Sequence, residues 1–430
     1  MSGCYITGWA YEVNYPVGAN PWNGQPMKIA PVSDYLMPGT PAVVEYLNWK
    51  LNELSTAVQA LQVSSYVPAL QNWGPQESIV GVGTQGVVAG CWDPLSGQWY
   101  LCFGDQIGAG LDVSYTKGLD GDTQAFSGGT PTVLTAAAWT ALPAIAPGQT
   151  LTGTVSMAPD PTTAGHVWLC ASVTGGTVVR QWNGAAWVVQ HTFSTGHYVT
   201  LHTYNGNVII ALGGSGVSSL GICNAASGTV LQSTSGTNVG PMLLCDNTGN
   251  AGPANMIVAV GQQTACASFW TSIDGVTWTA RTFSFLGSTQ QIGGLVWTTD
   301  VVGPCFLLAV FDTSSLLSSF YRSADGIVWT LSSTNHATTV GIAGMAAIGS
   351  SVYVTYGDAS SAGPSAAAYS PNGGVAWYAS QAILSSNNAS GAGYYLTGRQ
   401  VLAAPGIGFF TFNSLWFRFS QAIGLPAVLT

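Results

Sequence analysis

Ser272-Ile-Asp-Gly-Val-Thr-Trp278 and Ser323-Ala-Asp-Gly-Ile-Val-Trp329 follow one seven-residue pattern. A third version, Ser370-Pro-Asn-Gly-Gly-Val-Ala-Trp377, puts Asn in place of Asp and adds a residue. The tryptophans lie 51 and 48 positions apart, a period that marks a solenoid, a propeller or an array. Each copy reads as a turn. Its Asp accepts hydrogen bonds from amides of its own loop, its Gly takes the left-handed conformation, and its Trp folds back over the hairpin. The structural candidates are therefore Ser272, Asp274, Gly275 and Trp278; Ser323, Asp325, Gly326 and Trp329; Ser370, Asn372, Gly373 and Trp377.

Weaker copies extend the series backwards. Gln181-Trp-Asn-Gly-Ala-Ala-Trp187 ends 91 residues before Trp278, close to two periods. Asn224-Ala-Ala-Ser-Gly-Thr-Val230 fills the slot between them without a Trp, and Ser114–Gly121 reads as a first, distorted copy. Short apolar runs such as Ile79–Val82, Val208–Leu212, Met256–Val260, Phe306–Val310 and Val352–Tyr356 alternate with Gly/Ser/Thr/Asn turns. Tyr394–Arg399, Phe409–Phe412 and Leu415–Phe419 supply the last strands.

Composition agrees with an all-β reading. Only 6% of the 430 residues are charged, against ~25% in an ordinary domain. Helical surfaces need Lys, Glu and Arg, so most of this chain is not helix. A net charge of −9 argues against a nucleic-acid partner, which needs clustered cations. Mean hydropathy is +0.31, yet every apolar run is cut well before the ~18 residues of a spanning helix, so no membrane insertion is expected. MSGCYITGWAYEV lacks the layout of a signal peptide, which suggests assembly in a cytoplasm. The eight Cys form no C-x-x-C and the five His are scattered, so neither a metal nor a cofactor is expected. The thiols read as buried and free, with a Cys91–Cys102 bridge as the alternative in an oxidising compartment.

Three regions separate. Residues 1–40, rich in aromatics and Pro, read as an extended arm with no helical or strand period. Residues 41–66 hold the one convincing helix, capped by Thr40, with Pro41 at its first position. Its apolar seam, Val44, Leu47, Leu51, Leu54, Val58 and Leu61, steps by three and four, as in a heptad repeat. It packs either on its own domain or on other copies of itself; we expect a homo-oligomer. Residues 67–430 carry the repeats.

The turns resemble the Asp boxes of sialidase-like β-propellers, here tightened to S-x-D-G-x-x-W. The resemblance covers about residues 75–420 and implies seven blades, with six as the alternative. A propeller must close its ring, so the last blade is expected to borrow a strand from residues 1–40 or from just after residue 66. The run Pro38-Gly-Thr-Pro41, then Glu45-Tyr-Leu-Asn-Trp49 and Leu51-Asn-Glu-Leu54, resembles a stretch near the start of bacteriophage tail fibre and spike proteins. That resemblance implies a virion protein of a phage tail, attached to other tail proteins through residues 1–66. The propeller would be its adsorption or decoration domain. A host surface glycan is the expected external ligand, stacked on exposed Trp and Tyr.

Sialidase chemistry, as the resemblance defines it, needs an arginine cluster, a Tyr–Glu pair and a carboxylic acid. The four Glu are residues 12, 45, 53 and 77, and only Glu77, on the first strand of the first blade, reaches the repeats. No catalytic residue is assigned and the chain is read as non-enzymatic. Two rivals remain. One is an Asp/Asp glycoside hydrolase using a pair from Asp105, Asp246, Asp300, Asp312 and Asp358. The other is a ring component of a tail tube or nozzle.

Overall fold

The computed structural model describes residues 86–104, 113–118, 140–145 and 149–379 with short gaps, the strands 401–404, 407–412 and 415–420, and five two-residue strands before residue 132. The chain divides into two compact units, Met1–Val67 with Gly424–Pro426 and Pro68–Ile423 with Ala427–Thr430. In the smaller unit Val13–Asn14 pairs with Pro26–Met27, so the segment read as an arm without strands contains a short antiparallel ladder. The expected helix seam from Val44 to Leu61 lies outside the described residues, as do Cys4, Tyr394–Arg399, Asp105 and Asp358.

The larger unit is all-β, and among the described residues there is no helix. Seven four-stranded antiparallel sheets follow one another. The first sheet is Gly86–Asp93, Gln98–Gly104, Val113–Gly118 and Thr140–Leu142. The second runs from Leu151 to Phe193, the third from Tyr198 to Ser233, the fourth from Met242 to Thr282, the fifth from Gln290 to Ala337 and the sixth from Ile342 to Ala379. Each is an up-and-down meander. Its first and second connections therefore lie at opposite ends, and its first and third at the same end.

The seventh sheet is closed by the other end of the chain. Val401–Ala404, Ile407–Phe412 and Leu415–Ser420 take Glu77–Ser78 as their outer strand, with Glu77 opposite Trp416 and Ser78 opposite Leu415. Of the two expected sources, the one after residue 66 supplies the strand. Glu77 therefore belongs to the last sheet and not to the first, as the sequence reading had it. Ser114–Gly118 is likewise part of a strand and not of a turn.

The first strand of every sheet neighbours the first strand of the next, and Val401–Ala404 neighbours Gly86–Asp93, so the inner strands form a closed circuit. The apolar cores lie between sheets. Val199, Leu201, Ile210 and Cys223 of the third sheet pack on Trp168, Cys170 and Val179 of the second. On the other face of the third sheet, Ile209, Ala211 and Ile222 pack on Leu244, Ile257 and Trp270 of the fourth. A middle strand is thus covered on both faces, which is why Val167–Val173 is buried throughout and reads as an apolar run interrupted only by Ser172. At the inner edge hydroxyls fasten neighbouring backbones: Ser156 Oγ accepts from Leu201 N at 2.9 Å, and Thr200 Oγ1 donates to the Met242 carbonyl at 2.6 Å.

All seven described cysteines are buried thiols outside any disulfide. Cys91 stands opposite Tyr100, and Cys102 opposite Ala89, so the register does not place the two sulfurs across from each other.

Candidate functional site

The repeated turns connect the third and fourth strands of sheets four, five and six. In the fourth sheet, Asp274 Oδ1 accepts from Val276 N at 2.8 Å and Thr277 N at 2.7 Å. Ser272 Oγ donates to the same carboxylate and accepts from Gly275 N at 2.8 Å. The amides of Thr277 and Val276 hold the Asp274 carboxyl well below the ordinary carboxylate range. Asp325 repeats the geometry on Ile327 N and Val328 N, and Asn372 Oδ1 accepts from Ala376 N. The weaker copies share it: Asn183 Oδ1 takes Ala185 N and Ala186 N, and Asn224 Oδ1 takes Ala226 N and Ser227 N. Gly275, Gly326 and Gly373 have φ of +77°, +71° and +68°, the left-handed region that favours glycine.

These turns do more than close hairpins. Trp278 is buried among Tyr204, Ile209 and Ile222 of the preceding sheet, and Trp377 stacks on Phe320 of its predecessor at 4.0 Å. Tyr204 Oη donates to the Ile273 carbonyl at 3.0 Å. A Cβ on Gly326 would lie 2.8 Å from Val258 Cγ2, and one on Gly373 would lie 2.6 Å from the Thr299 carbonyl oxygen. Each turn is therefore seated on the sheet before it.

The same end of the sheets carries most of the exposed large aliphatics. Leu95, Val301 and Val302 sit in first connections, and Ile273, Val276, Val328 and Val375 in third connections. Val301 and Val302 are 76% and 73% exposed, so they are tips and not the rim of a core. Three carboxylates at this end turn inward. Asp93 and Asp160 are buried in their own loops, and Asp300 forms an ion pair with Arg322 Nε at 2.5 Å. That contact is close without being an aligned hydrogen bond; Arg322 Nη2 supplies one to Asp300 Oδ1 at 3.2 Å. Asp274 is exposed and Asp325 half-buried, so this face sets apolar tips beside two turn carboxylates.

At the inner edge between the third and fourth sheets, His202 Nε2 meets Asp246 Oδ2 at 2.5 Å, both side chains partly exposed. Burial, and then the Asp246 charge, push the neighbouring Tyr204 phenol up to about 12. The sequence reading named Asp246 but not His202, because the two residues are 44 apart and only the packing of inner strands joins them. Asp300 and Asp312 flank opposite ends of the strand Pro304–Asp312, roughly 25 Å apart at the strand rise, so they cannot serve as an acid/base pair.

No protein-family model matches the chain, and no curated protein matches it in sequence. Among solved structures, YCF48 bound to D1 peptide is similar with a TM-score of 0.50 at 13% identity, over 84% of this chain and 98% of that one. A catalytically inactive virginiamycin B lyase from Staphylococcus aureus with quinupristin gives 0.52 at 8% identity, over 80% and 98%. At these identities the likeness speaks for the fold. The fold is a β-propeller. On this propeller the third connections are outer-strand turns, and the His202–Asp246 contact lies at the inner edge. Among the residues whose burial is described, Trp187, Trp297, Tyr321 and Trp329 are half-buried and no Trp or Tyr is more exposed.

Proposed function

We propose that this chain is a non-enzymatic structural protein of a bacteriophage tail, with a seven-bladed propeller of Asp-box type as its adsorption or decoration domain. Residues 1–66 attach it to other tail proteins and to its own copies. The observation that carries the reading is the apolar turn face. Exposed aliphatics gathered at one end of several sheets, on a surface otherwise coated with Ser, Thr and Asn, fit a protein contact, and here the partner is a neighbouring tail subunit. The opposite end of the sheets offers hydroxyls and amides, among them Thr264, Gln291 and Ser314, suited to the hydroxyls of a host surface glycan.

Imaging of an intact particle tests this directly. The expected result is several copies of the chain with the Val301–Val302 tip against a neighbour. Val301→Asp with Val302→Asp should abolish incorporation while the melting temperature stays unchanged. A particle that lacks the chain would overturn the reading. One observation favours a rival, an enzyme acting on bacterial surface polysaccharide, namely the His202–Asp246 contact. Turnover of that polysaccharide, lost in His202→Asn, would establish it.

A further inference from the structure

Asn183, Asn205, Asn224 and Asn372 all sit in tight turns between strands of the described sheets. Asn224 is followed by Ala225, and the other three by Gly. An Asn-Gly pair is chemically labile. A residue without Cβ lets its amide nitrogen reach the Asn side-chain carbon and close a five-membered ring. The surroundings of the three pairs differ. Gly373 is buried and its N donates to the Ser350 carbonyl at 2.7 Å, so that nitrogen is engaged. Asn205 commits its Nδ2 to the Ile273 carbonyl at 3.2 Å, which ties its amide group to the fourth sheet.

Asn183-Gly184 has neither restraint. Both residues are exposed. Among the described residues, Gly184 N and Asn183 Nδ2 have no hydrogen-bond partner. A Cβ on Gly184 would meet only His166 Nε2, at 3.8 Å, so nothing crowds the nitrogen. On the other side of the amide, Ala185 N and Ala186 N donate to Asn183 Oδ1 at 3.0 and 2.9 Å. Two backbone amides on one carbonyl oxygen draw charge from its carbon and favour an oxyanion there, as in an acyl-transfer site.

We propose that Asn183-Gly184 is a self-modifying site, which converts to aspartate or isoaspartate without an enzyme. Gly184 N gives its proton to water and bonds to Asn183 Cγ, while Nδ2 takes up a proton and leaves as ammonia. Water then opens the resulting succinimide at either carbonyl. One water is consumed and one ammonia released, and nothing is oxidised or reduced. Opening at one carbonyl leaves a side-chain carboxylate for the two amides, the arrangement Asp274 has in the fourth sheet. Opening at the other adds a methylene to the main chain of the turn that joins Trp182 to Trp187.

Ageing the full-length protein in mildly alkaline buffer made with heavy-oxygen water tests the site. Peptide mass spectrometry then reads each Asn, and the incorporated oxygen separates conversion during ageing from conversion during digestion. Asn183 should convert about tenfold faster than Asn205, a modest part of what oxyanion donors contribute in enzymes. Asn372 should lag behind both. In urea-unfolded protein the three pairs lose their turns, and the lead of Asn183 should vanish. An Asn183 that stays intact, or that only keeps pace with Asn205 in the folded protein, would overturn the proposal. So would a lead that persists in urea, because its cause would then lie in the neighbouring sequence and not in the turn.

Discussion

The second sheet and the fourth are fastened to their predecessors at the same end of the propeller but by different turns. In the fourth, the work falls on the third connection: Trp278 fills the gap to the third sheet and Ile273 takes a hydrogen bond from Tyr204. In the second, the third connection is a plain Asn turn, and the first connection is the fastener. Gly165 N donates to Asp93 Oδ2 of the first sheet at 2.7 Å, and Tyr100 Oη donates to the Gly165 carbonyl. Asp160 organises that loop and binds the Trp168 indole at 2.9 Å. A carboxylate–tryptophan device is present in both halves, moved from one connection to another. A wedge of tryptophan suits an apolar gap, whereas a buried carboxylate suits a loop with many free amides.

The largest effect should come from the wedge. Trp278→Ala empties a buried site between two sheets, and by analogy with other core truncations should cost about 3–5 kcal/mol. Trp187→Ala, at the corresponding half-buried position of the second sheet, should cost less than half of that. Urea midpoints of the two variants measure the difference, and equal losses would mean that both halves lean on their tryptophans alike.

Asp160→Ala should follow at about 2–4 kcal/mol, because it leaves the buried Trp168 indole N–H and the part-buried amides of Thr162 and Thr163 without an acceptor. Asp274→Ala, whose donors reach water, should cost about 1 kcal/mol. If the exposed aspartate proved the more costly of the two, the assignment of fasteners would be reversed.

The wedge also explains a glycine. Gly373 and Gly97 have nearly the same φ, +68° and +66°, but a Cβ on Gly97 meets nothing within 4 Å. Gly97→Ala should therefore show only the backbone strain, about 1 kcal/mol. Gly373→Ala adds a collision with the Thr299 carbonyl and should cost about 1–2 kcal/mol more. Thermal melts of the pair separate turn strain from docking.

This division decides how much could be read from the residues. The late sheets were legible because Asp, Gly and Trp recur at fixed offsets within seven residues. The early ones were not, because Asp93 and Gly165 are joined across 72 positions and Asp160 reaches Gln181 across 21. Ring closure was legible as a necessity, while Glu77–Ser78 is too short a strand to announce its partner. The seam from Val44 to Leu61 stays a sequence expectation.

The smallest expected effect concerns acid. Sheets two, three and six place Asn where four and five place Asp, so nature already supplies a neutral version of the turn. Folding lowers the pKa of Asp274 through the amides of Thr277 and Val276, and at Asp325 the Val328 and Ile327 amides outweigh burial. A group with a depressed folded pKa adds stability that is fully present above its unfolded value, near 3.8 here, and is lost as the pH falls through the folded one. Asp312, brought down to about 2 by Ser314, should behave likewise in a second connection. Asp274→Asn with Asp325→Asn should therefore change the urea midpoint little at pH 7, since Asn keeps the acceptor, and should flatten its fall between pH 4 and 2. A variant that loses stability equally at both pH values would show that the charge, and not the oxygen, holds these turns against the preceding sheet.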